Sequence, residues 1–275
     1  FASKKYGEIS SDGLVLEMLE KPDMQEGLFG VLHDFIQYLQ DGKLSPSSIP
    51  VYLYFLRVYL IARGVKIDIP GKISYFRSHG TIKKGLKERK RAVQLKELQA
   101  IINHVPEDKQ QLYLVLISSG MRINEALRIK RSDVDLSEKK AIITIRAEIA
   151  KTKQERITLI SDEALTACQS LFDRLHPNDL VFGSAHTSWK YDVSNHVGYF
   201  QRLRIKLGYT EKYKSGTNKI TIHTFRSYFI SKCGRVDNAF GHYLSGHNAA
   251  NAEYERYEIE ELIELYKKVE PELTI

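Results

Sequence analysis

For most of this chain the apolar residues recur three or four positions apart, the spacing that lays a stripe along one face of a helix. The exception is a pair of short strand-like runs, Ala141 to Arg146 and Glu155 to Ile160. Between them Ala147 to Gln154 is polar enough to be a hairpin loop. A single hairpin among helices excludes sandwiches, barrels and parallel doubly wound folds. The expected class is mainly α with a small antiparallel sheet (α+β).

The helices divide into two groups. Leu28, Leu32, Phe35, Ile36 and Leu39 form one stripe, stopped by Gly42. Ser45-Pro46 offers a cap and first-turn pair for a second helix, carrying Ile49, Leu53, Leu56 and Leu60 to Gly64. Tyr52, Tyr54 and Tyr59 on this helix are expected in its core rather than stacked on a base. Between Gly71 and Arg91 the apolar pattern fades, and Lys83, Lys84, Lys87, Arg89, Lys90 and Arg91 are opposed only by Glu88. Residues 1–82 therefore read as a helical domain, 83–92 as a basic linker and 93–275 as a mixed domain. In the last, helical spacing covers about Lys96 to Asn103, Asp108 to Ser119, Asp162 to Leu175, Asn195 to Leu207 and His223 to Cys233.

Composition narrows the class of partner. The 275 residues hold 41 Lys+Arg against 34 Asp+Glu, a formal charge of +7 that favours a polyanion, with nucleic acid the first candidate. The basic linker is either a solvated segment or a strap along a DNA backbone. Cys168 and Cys233 fit neither a disulfide framework nor a zinc spacing, and suit a reducing, cytoplasmic setting. No run approaches the roughly 18 apolar residues of a membrane span, and Phe1-Ala2-Ser3-Lys4-Lys5 does not read as a secretion signal.

Four segments carry side chains suited to phosphate chemistry. In Gly120-Met121-Arg122-Ile123-Asn124-Glu125, Gly120 can end one helix and Asn124 can cap the next, leaving Arg122 in the elbow with Glu125 positioned to brace it. A braced guanidinium can take a phosphate through two hydrogen bonds, although an Arg–Glu surface pair would look the same in sequence. His223-Thr224-Phe225-Arg226 places an imidazole and a guanidinium on one helix face. Lys151 and Lys153, with Arg156, crowd the hairpin loop, where an ammonium can donate a proton. Leu244-Ser245-Gly246-His247 precedes two phenols, Tyr254 and Tyr257. A phenol of ordinary pKa about 10 attacks at neutral pH only where cations stabilise its phenolate.

Taken together, in this order, these segments resemble the tyrosine recombinases, or phage-type integrases, including the bacterial and archaeal Xer proteins. The residues 120–125 resemble the first arginine box, Lys151 to Arg156 the hairpin lysine motif, His223 to Arg226 the second arginine box, and 244–247 the Leu-Gly-His signature with Ser245 as a departure. Arg256-Tyr257 resembles the nucleophile segment, and Tyr257 keeps the expected distance from Arg226 where Tyr254 does not. Lys151 aligns better than Lys153. The N-terminal helices resemble the family's core-binding domain, so the resemblance covers nearly the whole chain.

The resemblance implies a metal-free, cofactor-free site in which Arg122 and Arg226 hold the scissile phosphate and Tyr257 attacks it. Lys151 would be the general acid, and His223 and His247 would position the phosphate, with Glu125 supporting. Lys83, Lys84, Lys87, Arg89, Lys90, Arg91, Lys153 and Arg156 are the expected DNA contacts. It further implies a homo-tetramer on two DNA sites, strand exchange through a Holliday junction, and a nucleoid-associated protein of prokaryotic, archaeal, viral or plasmid origin. The amphipathic tail, with Leu262, Ile263, Leu265 and Val269, would dock on a neighbouring protomer or pack within its own chain. Alternatives are a type IB topoisomerase-like enzyme, a non-catalytic DNA-binding regulator, and a metal hydrolase using His223, Cys233, His242 and His247.

Overall fold

The computed structural model describes residues 24–42, 44, 48–64, 90–246 and 257–275, together with Gly13, Ser74, Phe76 and Glu88; for 24–29 only the backbone is described. The chain divides into two compact units, Phe1–Arg89 and Lys90–Ile275.

In the first unit α1 spans Met24–Asp41 and α2 spans Ile49–Ala62. Leu32, Ile36 and Leu39 from α1 meet Ile49, Leu53 and Leu60 from α2 and Phe76 in one cluster. Ser48, not Ser45, precedes α2, and Pro50 supplies its preset φ in the first turn. Ser45 and Pro46 lie outside the described residues. Tyr52 and Tyr54 are 46% and 56% exposed, which corrects their expected core placement. Each lies one residue, hence about 100°, from buried Leu53, too far round the helix to share its face. Only Tyr59 packs against the cluster.

The second unit is built around a helix buried on every side. α3 (Leu95–Ile102) leads to α4 (Glu107–Ser119), whose residues 111–119 are all buried. After the short α5 (Ile123–Ala126) the chain forms the antiparallel sheet β1–β2–β3, with β1 Val134–Asp135, β2 Ile142–Ile145 and β3 Arg156–Leu159. Ile142 pairs with Leu159 and Ile145 with Arg156, so the hairpin loop opens at Arg156. α6 (Asp162–Arg174), α7 (Trp189–Lys206), α8 (His223–Val236) and α9 (Asn238–Ser245) follow. α4 packs against α6, α8, α5 and β3, and α8 packs against α9. Among the described residues no helix is long and apolar enough to cross a membrane.

The tail is α10, Ile259–Val269, and it packs within its own chain. Leu262, Ile263, Tyr266 and Val269 are buried in the main core, while Leu265 is half-buried against it. At about 1.5–3 kcal/mol for each buried aliphatic side chain, this face is already satisfied without a second protomer. The buried Tyr266 hydroxyl donates to Ser118 O at 2.7 Å, and Lys140 Nζ, in the turn between β1 and β2, pairs with Glu270 at 2.5 Å and Asp162 at 2.6 Å. Of the two expected arrangements for the tail, the structure has these residues packed within their own chain.

Candidate active site

The site begins at the end of α4. Gly120 closes that helix in the left-handed conformation, φ +65°, and its N–H donates to Leu116 O. A Cβ there would lie 2.3 Å from Cδ1 of Phe229, so glycine is needed both for the turn and for the approach of α8. Two residues later Arg122, not Asn124, occupies the N-cap position of α5. An arginine cannot accept the orphan amides, so the cap works in the other direction: the Glu125 carboxylate accepts the Arg122 backbone N–H at 2.9 Å. The same carboxylate accepts Arg122 Nη1 at 2.9 Å. Backbone and side chain of Arg122 are thus fixed by one group.

Glu125 is fully buried and has a second cation. Arg156, the first residue of β3, donates from Nη2 to Glu125 Oε2 at 2.7 Å and from Nε to Leu244 O at 3.1 Å. Its side chain is 7% exposed. Burial alone would push the Glu125 carboxyl up, but Arg156, then Arg122, outweigh it and hold the group below the ordinary carboxylate range.

Arg226 enters from the first turn of α8 and is 2% exposed. Its Nη1 donates to Gly120 O at 2.7 Å and to Ser245 O at 2.6 Å, which joins the end of α4 to the end of α9. Nη2 is buried and makes no hydrogen bond among the described residues. Burial, and then the positive charge of Arg122, pull the Arg226 pKa down to about 10. Arg122, Arg226 and His223 line one cleft of about 350 Å³, with Asn124, Asn218 and Thr221 among its polar walls and Met121, Ile123 and Phe200 among its apolar ones.

The remaining expected residues are placed unevenly. Lys151 and Lys153 are exposed on the β2–β3 loop, and Lys153 has φ +59° at the turn. Tyr257 is half-buried, its ring edge-on to Tyr243 at 5.1 Å and to Phe240 at 6.5 Å, both on α9. It therefore rests on the helix whose last carbonyl Arg226 holds. His247, Tyr254, Lys83, Lys84, Lys87 and Arg89 lie outside the described residues. Lys90 is exposed.

Two expected DNA contacts are engaged by carboxylates of their own chain. Arg91 is engaged by Glu97 through two bonds of 2.9 and 2.7 Å, and its backbone N–H donates to the Tyr213 hydroxyl. Arg156 is buried between Glu125 and α9 as described. Each guanidinium has a carboxylate partner whose burial would be costly if unpaired; the Arg156 side chain is 7% exposed, that of Arg91 32%. Sequence reasoning also missed the carbonyls of Gly120 and Ser245 and the cleft walls Asn218 and Thr221, since backbone acceptors and loop residues leave no compositional signal.

These features define a mainly helical unit with a three-stranded sheet in which Arg122 and Arg226 line one cleft. The Phage integrase family matches residues 90–251. The chain belongs to that family, the tyrosine recombinases. It is 23% identical over 169 residues to "Tyrosine recombinase XerA" of Thermococcus onnurineus (strain NA1), an alignment covering 49% of this chain and 58% of that protein, under two thirds of its length. Among solved structures, the Tn1549 transposon integrase in complex with a circular intermediate DNA superposes with a TM-score of 0.57 at 15% identity, covering 97% of this chain and 96% of that one. A lambda integrase dimer bound to a core site gives 0.54 at 16% identity, covering 84% and 82%. The fold is shared with both.

Proposed function

We propose that the chain is a site-specific DNA recombinase that cuts and rejoins DNA through a 3′-phosphotyrosine intermediate. The observation that most supports this is the state of Arg226: a buried cation, one nitrogen engaged by two carbonyls, the other uncommitted beside a cleft it shares with Arg122. Two like charges held together in a buried place are stabilised by an anion between them, and a phosphodiester has the matching shape.

In the proposed reaction Arg122 and Arg226 bind the nonbridging oxygens, and their hydrogen bonds strengthen as charge grows on those atoms in the transition state. The Tyr257 oxygen attacks phosphorus, the bond to the 5′-oxygen breaks, and Lys151 protonates that departing oxygen to give the 5′-hydroxyl. The phenolic proton passes to His223 or His247. The ester retains the energy of the broken bond, so the 5′-hydroxyl of another strand can reverse the step without ATP. Both units bind duplex DNA, with Lys83, Lys84, Lys87, Arg89, Lys90 and Lys153 toward its backbone, and four protomers assemble on two sites to exchange strands through a Holliday junction.

The test selects duplexes retained by the protein from a random pool and rebuilds them as nicked suicide substrates. Wild type should form a covalent adduct that Tyr257→Phe does not, and Arg122→Ala or Arg226→Ala should slow its formation by about 10²–10³-fold. No adduct on any retained site would refute the proposal. Relaxation of a supercoiled plasmid regardless of site would favour the topoisomerase reading instead.

A further inference from the structure

We propose that Arg156 is a positioning residue, the strut that sets the distance between the first arginine box and the C-terminus of α9; this rests on the phosphotyrosine reading of the site. Its contacts come from two stretches far apart in sequence. Nη2 grips Glu125, the group that fixes Arg122; Nε grips Leu244 O, one residue before the carbonyl that anchors Arg226. Its aliphatic stem lies against Gly246, where φ is +59° and a Cβ would come within 2.8 Å of Arg156 Cδ and Nε. His247 follows directly in the sequence.

The connections close a circuit. Arg122 is held by Glu125, Glu125 by Arg156, Arg156 by the end of α9, that end by Arg226, and Arg226 by Gly120, two residues before Arg122. Both guanidiniums that face the cleft are thus fixed relative to each other through Arg156. Because Arg156 pairs with Ile145 at the last rung of the hairpin, the loop that bears Lys151 also departs from it. A lysine at 156 would keep a charge for Glu125 but has one nitrogen and no planar fork with which to reach both Glu125 and Leu244 O. Misplacement of a reacting group by about 1 Å can cost roughly 10²-fold in rate.

The experiment compares wild type, Arg156→Lys, Arg156→Gln, Glu125→Gln and the Arg156→Gln/Glu125→Gln double variant in single-turnover cleavage of the suicide substrate at saturating protein. Binding affinity and its salt dependence are measured in parallel. Arg156→Gln should cleave about 10²-fold slower and Arg156→Lys about 10-fold slower, at wild-type affinity and unchanged salt slope. The double variant should be no slower than the slower single, since both break one strut. Amide exchange supplies a readout independent of activity: Arg122 and Gly246 should lose protection in Arg156→Gln while α4 keeps its own. If Arg156→Gln does not fold, Arg156→Lys carries the same comparison. Wild-type rates in the variants, or weaker binding with a salt slope reduced by about one, would overturn the strut, the latter restoring Arg156 as a phosphate contact. Absence of an adduct from wild type refutes the function itself, and the exchange result then judges the strut separately.

Discussion

Replacing Glu125 with Gln isolates the charge at the centre of the site. The carboxylate is fully buried and receives Arg122 Nη1, Arg156 Nη2 and the Arg122 backbone N–H within 2.7–2.9 Å. An amide of the same shape keeps one acceptor, but leaves the guanidiniums of Arg122, Arg156 and Arg226 without a counter-charge. Removing one partner of a buried pair costs about 3–5 kcal/mol, and retention of one acceptor favours the lower end, about 3 kcal/mol. For a unit of this size that corresponds to a fall of roughly 6–12 °C in Tm. Calorimetry on wild type and Glu125→Gln at pH 7 measures it, and a pH series identifies its origin. Because the folded-state pKa is depressed, the contribution of Glu125 is complete above the ordinary carboxyl pKa of about 4.3 and is lost as pH falls through the lower folded value. The gap between the proteins should therefore be constant from pH 5 to 8 and close below about pH 4. A variant as stable as wild type at pH 7 would refute this account. So would a gap undiminished in denaturant titrations at pH 3, which would assign it to shape rather than charge.

Other substitutions test the frame around the site. Gly120→Ala places a Cβ 2.3 Å from the Phe229 ring at a left-handed φ, and should cost about 2–4 kcal/mol in urea unfolding, with part recovered when Phe229 is shortened to Leu. Tyr266→Phe strands the Ser118 carbonyl that its hydroxyl satisfies at 2.7 Å, and should lower stability by about 1–2 kcal/mol. Tyr113→Phe is the control: this hydroxyl is buried with no hydrogen-bond partner among the described residues, so its removal should leave stability unchanged or raise it by about 1 kcal/mol in the same assay.

The parts of the fold legible in the sequence are those with strong local periodicity. α4, α6, α8 and the β2–β3 hairpin fall within a few residues of their expected bounds, because each carries an apolar pattern long enough to define its period. α7 starts at Trp189, six residues before the expected Asn195; its first turns mix aromatic, charged and polar residues without a stripe, and Ser188 supplies the cap. β1 has two residues and no period to detect. α9 has only eight residues, and its one local sign is Asp237, whose side chain accepts the Phe240 N–H at 2.9 Å. The site divides in the same way. The Arg122–Glu125 brace spans three residues and is written in the motif, whereas the bonds from Arg156 to Glu125 and from Arg226 to Gly120 join positions 31 and 106 residues apart. No local pattern encodes those separations.

The two cleft arginines sit in different surroundings. Arg122 has a carboxylate partner and a side chain 20% exposed, so its charge is compensated before any ligand arrives. Among the described residues Arg226 is hydrogen-bonded only to carbonyls, is nearly inaccessible, and has a lowered affinity for its own proton. A cation in that position is poorly compensated, so in the proposed reaction binding energy would be concentrated at Arg226 and orientation at Arg122. The guanidinium geometry suits this: Nη1 spans two carbonyls while the buried Nη2 has no hydrogen-bond partner among the described residues, whereas an ammonium would offer one nitrogen to all three directions. The ends of α4 and α9 are held together by the same nitrogen, so the group that awaits the anion is also the one that fixes the helix on which the Tyr257 ring rests. In the proposed reaction, phosphate binding at Arg226 and the placement of Tyr257 would therefore be linked through a single side chain.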